Sequence, residues 1–318
     1  MKYFIRKFCL LLLIFLTSCT NKSEPNLRIG TNVWPGYEPL YLARQQGMLE
    51  EEKVHLVEFS SASQVIQSYR NNLIDAAALT LDEVLLLLES GEQLKIVLVM
   101  DISNGGDAII GQSDITSLSN ISGKRVGVEN NALGAYMLTR ALETVNLSKE
   151  SIEIIPLDIN NQEKSFLQQK VDAVVTFDPV RTRLLKSGGH LLFDSRQLPG
   201  EIVDVLVIRD KYLNQYPESV QYLLNGWYQA LAFIKEQPRE AAKILGQRMK
   251  MSVEETLASY EGLELPDQKE NQTLLNQKPE PQLLLSANKL MRIMIQQGLI
   301  KEKIDPSVLF TNSSIQNE

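Results

Sequence analysis

Leu73-Ile74-Asp75-Ala76-Ala77-Ala78 and Lys170-Val171-Asp172-Ala173-Val174-Val175 are two versions of one phrase. In each, an aspartate opens a short apolar run just after a helical pattern that ends in polar residues. A new helix begins soon afterwards, near Thr80 in the first copy and at Asp178 in the second. A short apolar run between helical patterns reads as a buried strand of a parallel sheet. Two copies imply a strand-helix-strand-helix unit used twice, and hence two similar lobes.

Outward from these phrases the same alternation continues, which is the pattern of an α/β fold with mainly parallel sheet. Strands are predicted over 27–31, 53–59, 75–79, 95–100, 108–112, 125–128, 152–157, 172–176, 190–193 and 203–208. Between them, Ser61-x-x-Gln64 and Thr80-x-x-Glu83 are capping boxes that start helices. Asp178 is the expected N-cap of a helix whose first residue is Pro179. Beyond Glu218 the chain reads as helix over 220–236, 238–248, 253–260 and 282–297. The polar stretch 265–281 carries Pro266, Pro279 and Pro281 and is read mostly as loop.

Composition narrows the chemistry. The chain has 318 residues and a formal charge of −7. Such an acidic chain without a basic run argues against nucleic acid. Cys9 and Cys19 are its two cysteines, and His55 and His190 its two histidines. No Cys/His metal constellation or Cys–His nucleophile pair follows from them, and neither histidine is given a functional role. No Ser-His-Asp set, phosphate loop or dinucleotide glycine pattern stands out, so no cofactor is expected and binding is favoured over catalysis.

At the N-terminus Lys2, Arg6 and Lys7 precede the apolar run 9–16, too short for the roughly 20 residues that span a bilayer. Residues 1–18 read as a signal peptide. Leu16-Thr17-Ser18-Cys19 resembles a bacterial lipobox, implying a lipid on Cys19, with 19–26 as a stalk. The expected location is the periplasm or the cell surface.

A wider resemblance follows in order along the chain. Gly30-Thr31-Asn32-Val33-Trp34-Pro35-Gly36-Tyr37-Glu38-Pro39-Leu40 and then Gly47-Met48-Leu49 resemble the start of the solute-binding proteins of ABC importers for nitrate, sulfonates, taurine and thiamine-pyrimidine precursors. Ser60-Ser61-Ala62-Ser63, the Asp75 strand, Ser122-Gly123-Lys124-Arg125-Val126-Gly127-Val128 and the Asp172 strand resemble later segments of that family. The resemblance implies a two-lobed type II periplasmic-binding-protein fold with ligand in the inter-lobe cleft. Lobe 1 is then 27–104 plus 205–318, and lobe 2 is 105–204. It further implies a monomer that closes on a small polar organic solute and hands it to an ABC permease and its ATPase. A sensory subunit of the same fold, and an enzyme acting on a pyrimidine precursor, are the alternatives.

In open α/β sheets ligands bind beyond the carboxyl ends of strands, near helix N-termini. That rule selects Trp34 and Tyr37, Ser60 and Ser61, Thr80 and Asp82, and Asp101 in lobe 1. In lobe 2 it selects Asn131, Phe177 and Asp178, with Asp204 near the crossover. Ser61, Thr80 and Asp178 are equally explained as helix caps, and Trp34 as packing on prolines. Cap hydroxyls beside free N–H groups suit an oxyanion. Four aspartates at the tips argue the other way, since two like charges ~4 Å apart cost roughly 4 kcal/mol at an effective dielectric of about 20. Arg181, a turn into its helix, is not counted among the tips. If two or more of the aspartates face the cleft, a cationic, zwitterionic or neutral polar ligand is favoured.

Overall fold

The computed structural model describes residues 24–276 and 279–310. The predicted signal peptide, Cys19 and most of the stalk lie outside them. In chain order β1 (Leu27–Thr31), α1 (Glu38–Gln45), β2 (Val54–Glu58), α2 (Ala62–Arg70), β3 (Ala76–Thr80), α3 (Leu81–Glu89) and β4 (Leu94–Ser103) lead into β5 (Asp107–Gly111). Next come β6 (Arg125–Val128), α4 (Ala132–Thr144), β7 (Glu153–Pro156), α5 (Ile159–Leu167), β8 (Ala173–Phe177), α6 (Val180–Lys186) and β9 (His190–Asp194). After β10 (Val203–Arg209) follow α7 (Asp210–Gln215), α8 (Pro217–Glu236), α9 (Pro238–Met249), α10 (Val253–Tyr260), β11 (Leu263–Glu264), α11 (Gln268–Asn276) and α12 (Gln282–Gln296).

Two sheets result, ordered β11-β4-β10-β3-β1-β2 and β7-β6-β8-β5-β9. In the first, β1 runs parallel to β2 and β3, while β10 is antiparallel to β3 and β4. In the second, β6 runs parallel to β7 and β8, while β5 is antiparallel to β8 and β9. The two crossover strands are thus inserted at the same place in each sheet, and the fold is two-lobed α/β. Alternate residues of one strand point to opposite faces. Ala76 and Ala78 join one core cluster and Ala77 and Leu79 another, on the two sides of the first sheet. Val175 and Val174 divide in the same way in the second. Burial on both faces is why these strands show no polar alternation.

The repeated aspartate has a structural reason. Asp75 accepts the Arg28 main-chain N–H at 3.2 Å and its Nε at 2.8 Å, while Arg28 Nη2 reaches Asp75 Oδ1 at 2.9 Å and the Asn72 carbonyl at 3.4 Å. Asp172 accepts the Arg125 N–H at 2.8 Å and its Nε at 3.0 Å, while Arg125 Nη2 reaches Asp172 Oδ1 and the Gln169 carbonyl, each at 2.9 Å. Each pair is 47 residues apart in sequence. Each clasp pins one parallel strand, β1 or β6, to the turn before its parallel neighbour, β3 or β8. In both turns a non-glycine residue has positive φ, Asn72 at 58° and Gln169 at 54°.

Two expectations are corrected. The stretch 265–281 is not mostly loop, because α11 occupies Gln268–Asn276. Asp267 and Glu270 form a reciprocal cap at its start, each side chain accepting the other's main-chain N–H at 2.8 Å. Asn271 then buries its amide against β4, accepting from Val99 N at 2.7 Å and donating to Val99 O at 3.1 Å. The prolines lie on either side of this helix. Pro179 is likewise not the first helical residue: α6 starts at Val180 with Pro179 as its N-cap. Asp178, one position earlier, still supplies capping through its carboxylate.

Candidate functional site

The strand ends of the two sheets face one another across a cleft. A pocket of about 320 Å³, counting space open to solvent, is lined by Asn32, Trp34, Tyr37, Thr80, Glu83 and Asp204 from lobe 1. Asp107, Asn131, Leu133 and Phe177 close it from lobe 2. Only about 20 Å³ of that space admits the centre of a water molecule, so the lobes stand nearly shut. A recess of about 10 Å³, room for about one water molecule, continues into lobe 2 between Asp107, Glu129, Gln162, Val175, Thr176 and Phe177. A larger groove beside Tyr228, Lys235 and Lys269 lies on lobe 1, away from these strand ends.

Six predicted residues meet in the cleft pocket: Trp34, Tyr37, Thr80, Asn131, Phe177 and Asp204. Trp34 is 4% exposed and belongs to the lobe 1 core as well, so one face packs while the ring still borders the pocket. Its Nε1 donates to Asp101 at 3.0 Å, and its ring meets Phe177 edge-on at 5.5 Å. Gly36 permits this arrangement, since a Cβ there would collide with the Asp101 carboxylate. Asp101 is buried behind Trp34, opposite Asp204 across the β4–β10 pair. Tyr37 donates its hydroxyl to Asp204. Burial pushes Asp101 up to about 8, against the hydrogen bond from Trp34. Burial, reinforced by the Asp101 charge, also raises Asp204 well above the carboxylate range.

The other predicted residues serve different ends. Ser61 accepts the Gln64 N–H at 3.4 Å and caps α2. Ser60 stands exposed at the mouth, its carbonyl accepting from Asn160 of lobe 2 at 3.0 Å. Asp82 is buried at the start of α3, outside the pocket, and burial raises it to about 6. Asp178 accepts from Thr182 N at 3.0 Å and its hydroxyl at 2.6 Å, and Arg181 Nη1 stands 3.5 Å away. Arg181, inside α6, turns back onto Asp178, and neither residue lines the cleft pocket or the recess.

Several cleft residues escaped the sequence reading. Glu83 closes the α3 capping box by accepting the Thr80 N–H at 3.2 Å and accepts from Asn131 Nδ2 at 3.2 Å. Asn131 itself caps α4 through the Gly134 N–H at 2.8 Å, so two helix caps are tied together across the cleft. Asp107 and Glu129 are each pushed up to about 7 by burial, Asp107 against a hydrogen bond from Ser103 and Glu129 with added repulsion from Asp158. A signal for Glu129 existed, since the 97-position spacing between lobes (28 to 125, 75 to 172) sets it opposite Asn32.

The architecture matches solved proteins. The alkanesulfonate-binding protein SsuA from Xanthomonas axonopodis pv. citri, bound to MOPS, superposes with a TM-score of 0.75 at 21% identity, covering 88% of this chain and 96% of that one. The aliphatic sulphonate-binding SsuA of Escherichia coli gives 0.72 at 20% identity over 89% and 96%. The ligand-binding component of an ABC-type import system from Staphylococcus aureus, with zinc bound, gives 0.75 at 15% over 93% and 99%. These likenesses show a periplasmic-binding-protein fold. A curated relative in Brucella abortus, described only as a binding protein, is 20% identical over 174 residues. That match covers 52% of this chain and 53% of the relative, so the chain spans about half the length of the curated relatives it matches. The NMT1-like family model matches residues 20–247, and the chain belongs to the NMT1-like family.

Proposed function

We propose that this chain is an extracytoplasmic solute-binding protein that closes on a small polar organic solute and delivers it to an ABC import permease with its ATPase. One observation carries the reading: a pocket of buried polar groups lies between the facing strand ends of the two sheets, lined from both lobes. Contacts between the lobes are polar at the cleft mouth, as Asn131 to Glu83, Asn160 to Ser60 and Lys186 to Glu255, and apolar where Trp34 meets Phe177 and where Ala132 and Tyr136 of α4 pack against α3. A solute that binds the closed form better than the open one selects it. In this reading 27–104 plus 205–318 move against 105–204, except that Val203 and Asp204 stay with lobe 1, since β10 pairs them with β3 and β4. Gly105, at φ 116°, lies in the first crossover.

A lipid on Cys19 would hold a monomeric protein near its permease and raise its effective concentration there. Mass spectrometry of the membrane-extracted chain tests this: a diacylglyceryl adduct on Cys19 supports the tether, and an unmodified thiol refutes it. Small-angle scattering of the full-length protein tests the main reading. The radius of gyration falls on addition of a saturating solute; an unchanged profile at saturation contradicts hinge closure.

A further inference from the structure

We infer that the groove at the mouth of the cleft is the outer half of the binding site, and that it takes a flat apolar group of the solute bearing a negative charge, which Lys250 meets. The inference rests on the solute-binding reading and deepens it. The shut cleft keeps little room at its centre, about 20 Å³. Beside it lies a groove of about 450 Å³, inside the range of roughly 300–1,000 Å³ that small-molecule sites occupy. Asn32 and Phe177 line both spaces, so the groove adjoins the pocket. Both lobes wall it. Val33, Phe59 and Met249 line it from lobe 1, and Ile159, Pro179 and Val180 from lobe 2. A molecule seated between these walls touches both lobes, and so favours the shut form over the open one.

The arginines of the groove are already answered. Arg248 donates from Nε to Glu38 at 2.8 Å and from Nη2 to Glu58, and Arg183 Nε donates to Glu163 at 2.6 Å. Lys250 also lines the groove, and its ammonium has no partner among the described residues. Its backbone adds an independent observation. Lys250 caps α9 in the left-handed conformation, at φ 57° and ψ 45°, where a Cβ is unfavourable and glycine is the usual residue. Three other non-glycine residues have positive φ among the described residues. Asn72 and Asn146 are of the type that tolerates it, and Gln169 gives its carbonyl to the Arg125 clasp. Lys250 is the charged residue of the four, and a residue kept in an unfavourable conformation points to a use for its side chain. The inner pocket is lined by Glu83, Asp107 and Asp204 and by no basic residue, so of the two spaces the groove is the one that offers an anion a cation.

Calorimetric titration of the full-length protein in lipid nanodiscs tests this with phenylacetate, phenylacetamide, benzylammonium and acetate. Phenylacetate should bind, and Lys250→Gly should weaken it about tenfold, the worth of one hydrogen bond to a charged group. Lys243→Ala, an exposed lysine of the same helix, should leave it unchanged. The neutral phenylacetamide should bind the wild type and Lys250→Gly alike. Acetate, which lacks the ring, should bind at least about tenfold more weakly than phenylacetate. Ligand-free Lys250→Gly should melt about 2 °C higher than the wild type, since glycine suits the left-handed turn, so lost binding is not lost folding. A lower melting temperature counts against a lysine kept there at a cost. No binding of phenylacetate, equal binding to the wild type and Lys250→Gly, or tighter binding of benzylammonium overturns the inference. A solute that lowers the radius of gyration yet ignores Lys250→Gly also overturns it, while leaving the solute-binding reading intact.

Discussion

The two lobes share a frame and differ at the rim. Both hold the same Arg–Asp clasp, the same parallel core of three strands and the same inserted crossover strand. At the cleft they part company. Lobe 1 ties one oxygen of Asp101 to Trp34 and one of Asp204 to Tyr37, while Asp101 Oδ1 and Asp82 Oδ2 stay buried without a hydrogen-bond partner among the described residues. Lobe 2 leaves an oxygen of Asp107 and one of Glu129 buried without a hydrogen-bond partner among the described residues. The difference teaches that the repeat fixes the scaffold, while single substitutions at strand ends, such as Glu129 where lobe 1 has Asn32, set what each half offers a ligand.

The comparison can be broken most forcefully at Trp34. Trp34→Ala removes a buried ring and strips Asp101 of a donor, and should cost about 3–5 kcal/mol in denaturant unfolding. A cost below about 1 kcal/mol would mean the lobe 1 wall is not held this way. The next effect is pH dependence. Asp101 at about 8, and Asp107 and Glu129 at about 7, lie above the ordinary values of 3.8 and 4.5. The folded form therefore keeps these protons more tightly than the unfolded one. Their contribution is fully present below the unfolded values and is lost as pH rises through the folded ones. The ligand-free protein should lose on the order of 2 kcal/mol between about pH 5.5 and pH 8, measured by urea melts. Stability that rises over that interval would contradict the burial of uncharged carboxyls.

A smaller effect has the opposite sign to that of Trp34→Ala. Glu129→Gln keeps the shape and removes a buried charge, so near pH 8 it should stabilise the ligand-free protein by about 1 kcal/mol. Destabilisation of that size would show that Glu129 already has a partner. Smallest of all, Asp75→Ala and Asp172→Ala each open a half-exposed clasp and should lower the melting temperature by about 2–4 °C. Widely unequal losses would show that the matched geometry does not carry matched weight.

Much of the scaffold was legible because its strands are buried on both faces and its helices carry side-chain caps. All ten predicted strands overlap observed ones, and the Asp75 and Asp172 phrases are the turns that the clasps secure. Residues 268–276 were missed because three prolines drew attention from the Asp267–Glu270 cap, and because Asn271 is polar yet buried by bonds to β4. The two-residue β11 has too little sequence to show a period. At the site, strand-end position found Trp34, Tyr37, Thr80, Asn131, Phe177 and Asp204. Thr176 and Gln162 were hidden since one lies within a strand and the other on a helix, and only tertiary packing turns them into the recess. Asp107 opens the crossover strand, a position that tip-by-tip reading passes over.

The most direct test of the two-lobed binding account is small-angle scattering of the full-length protein with and without a solute that thermal shift shows to bind. The radius of gyration should fall at saturation as the lobes close. An unchanged profile at saturation would contradict the account.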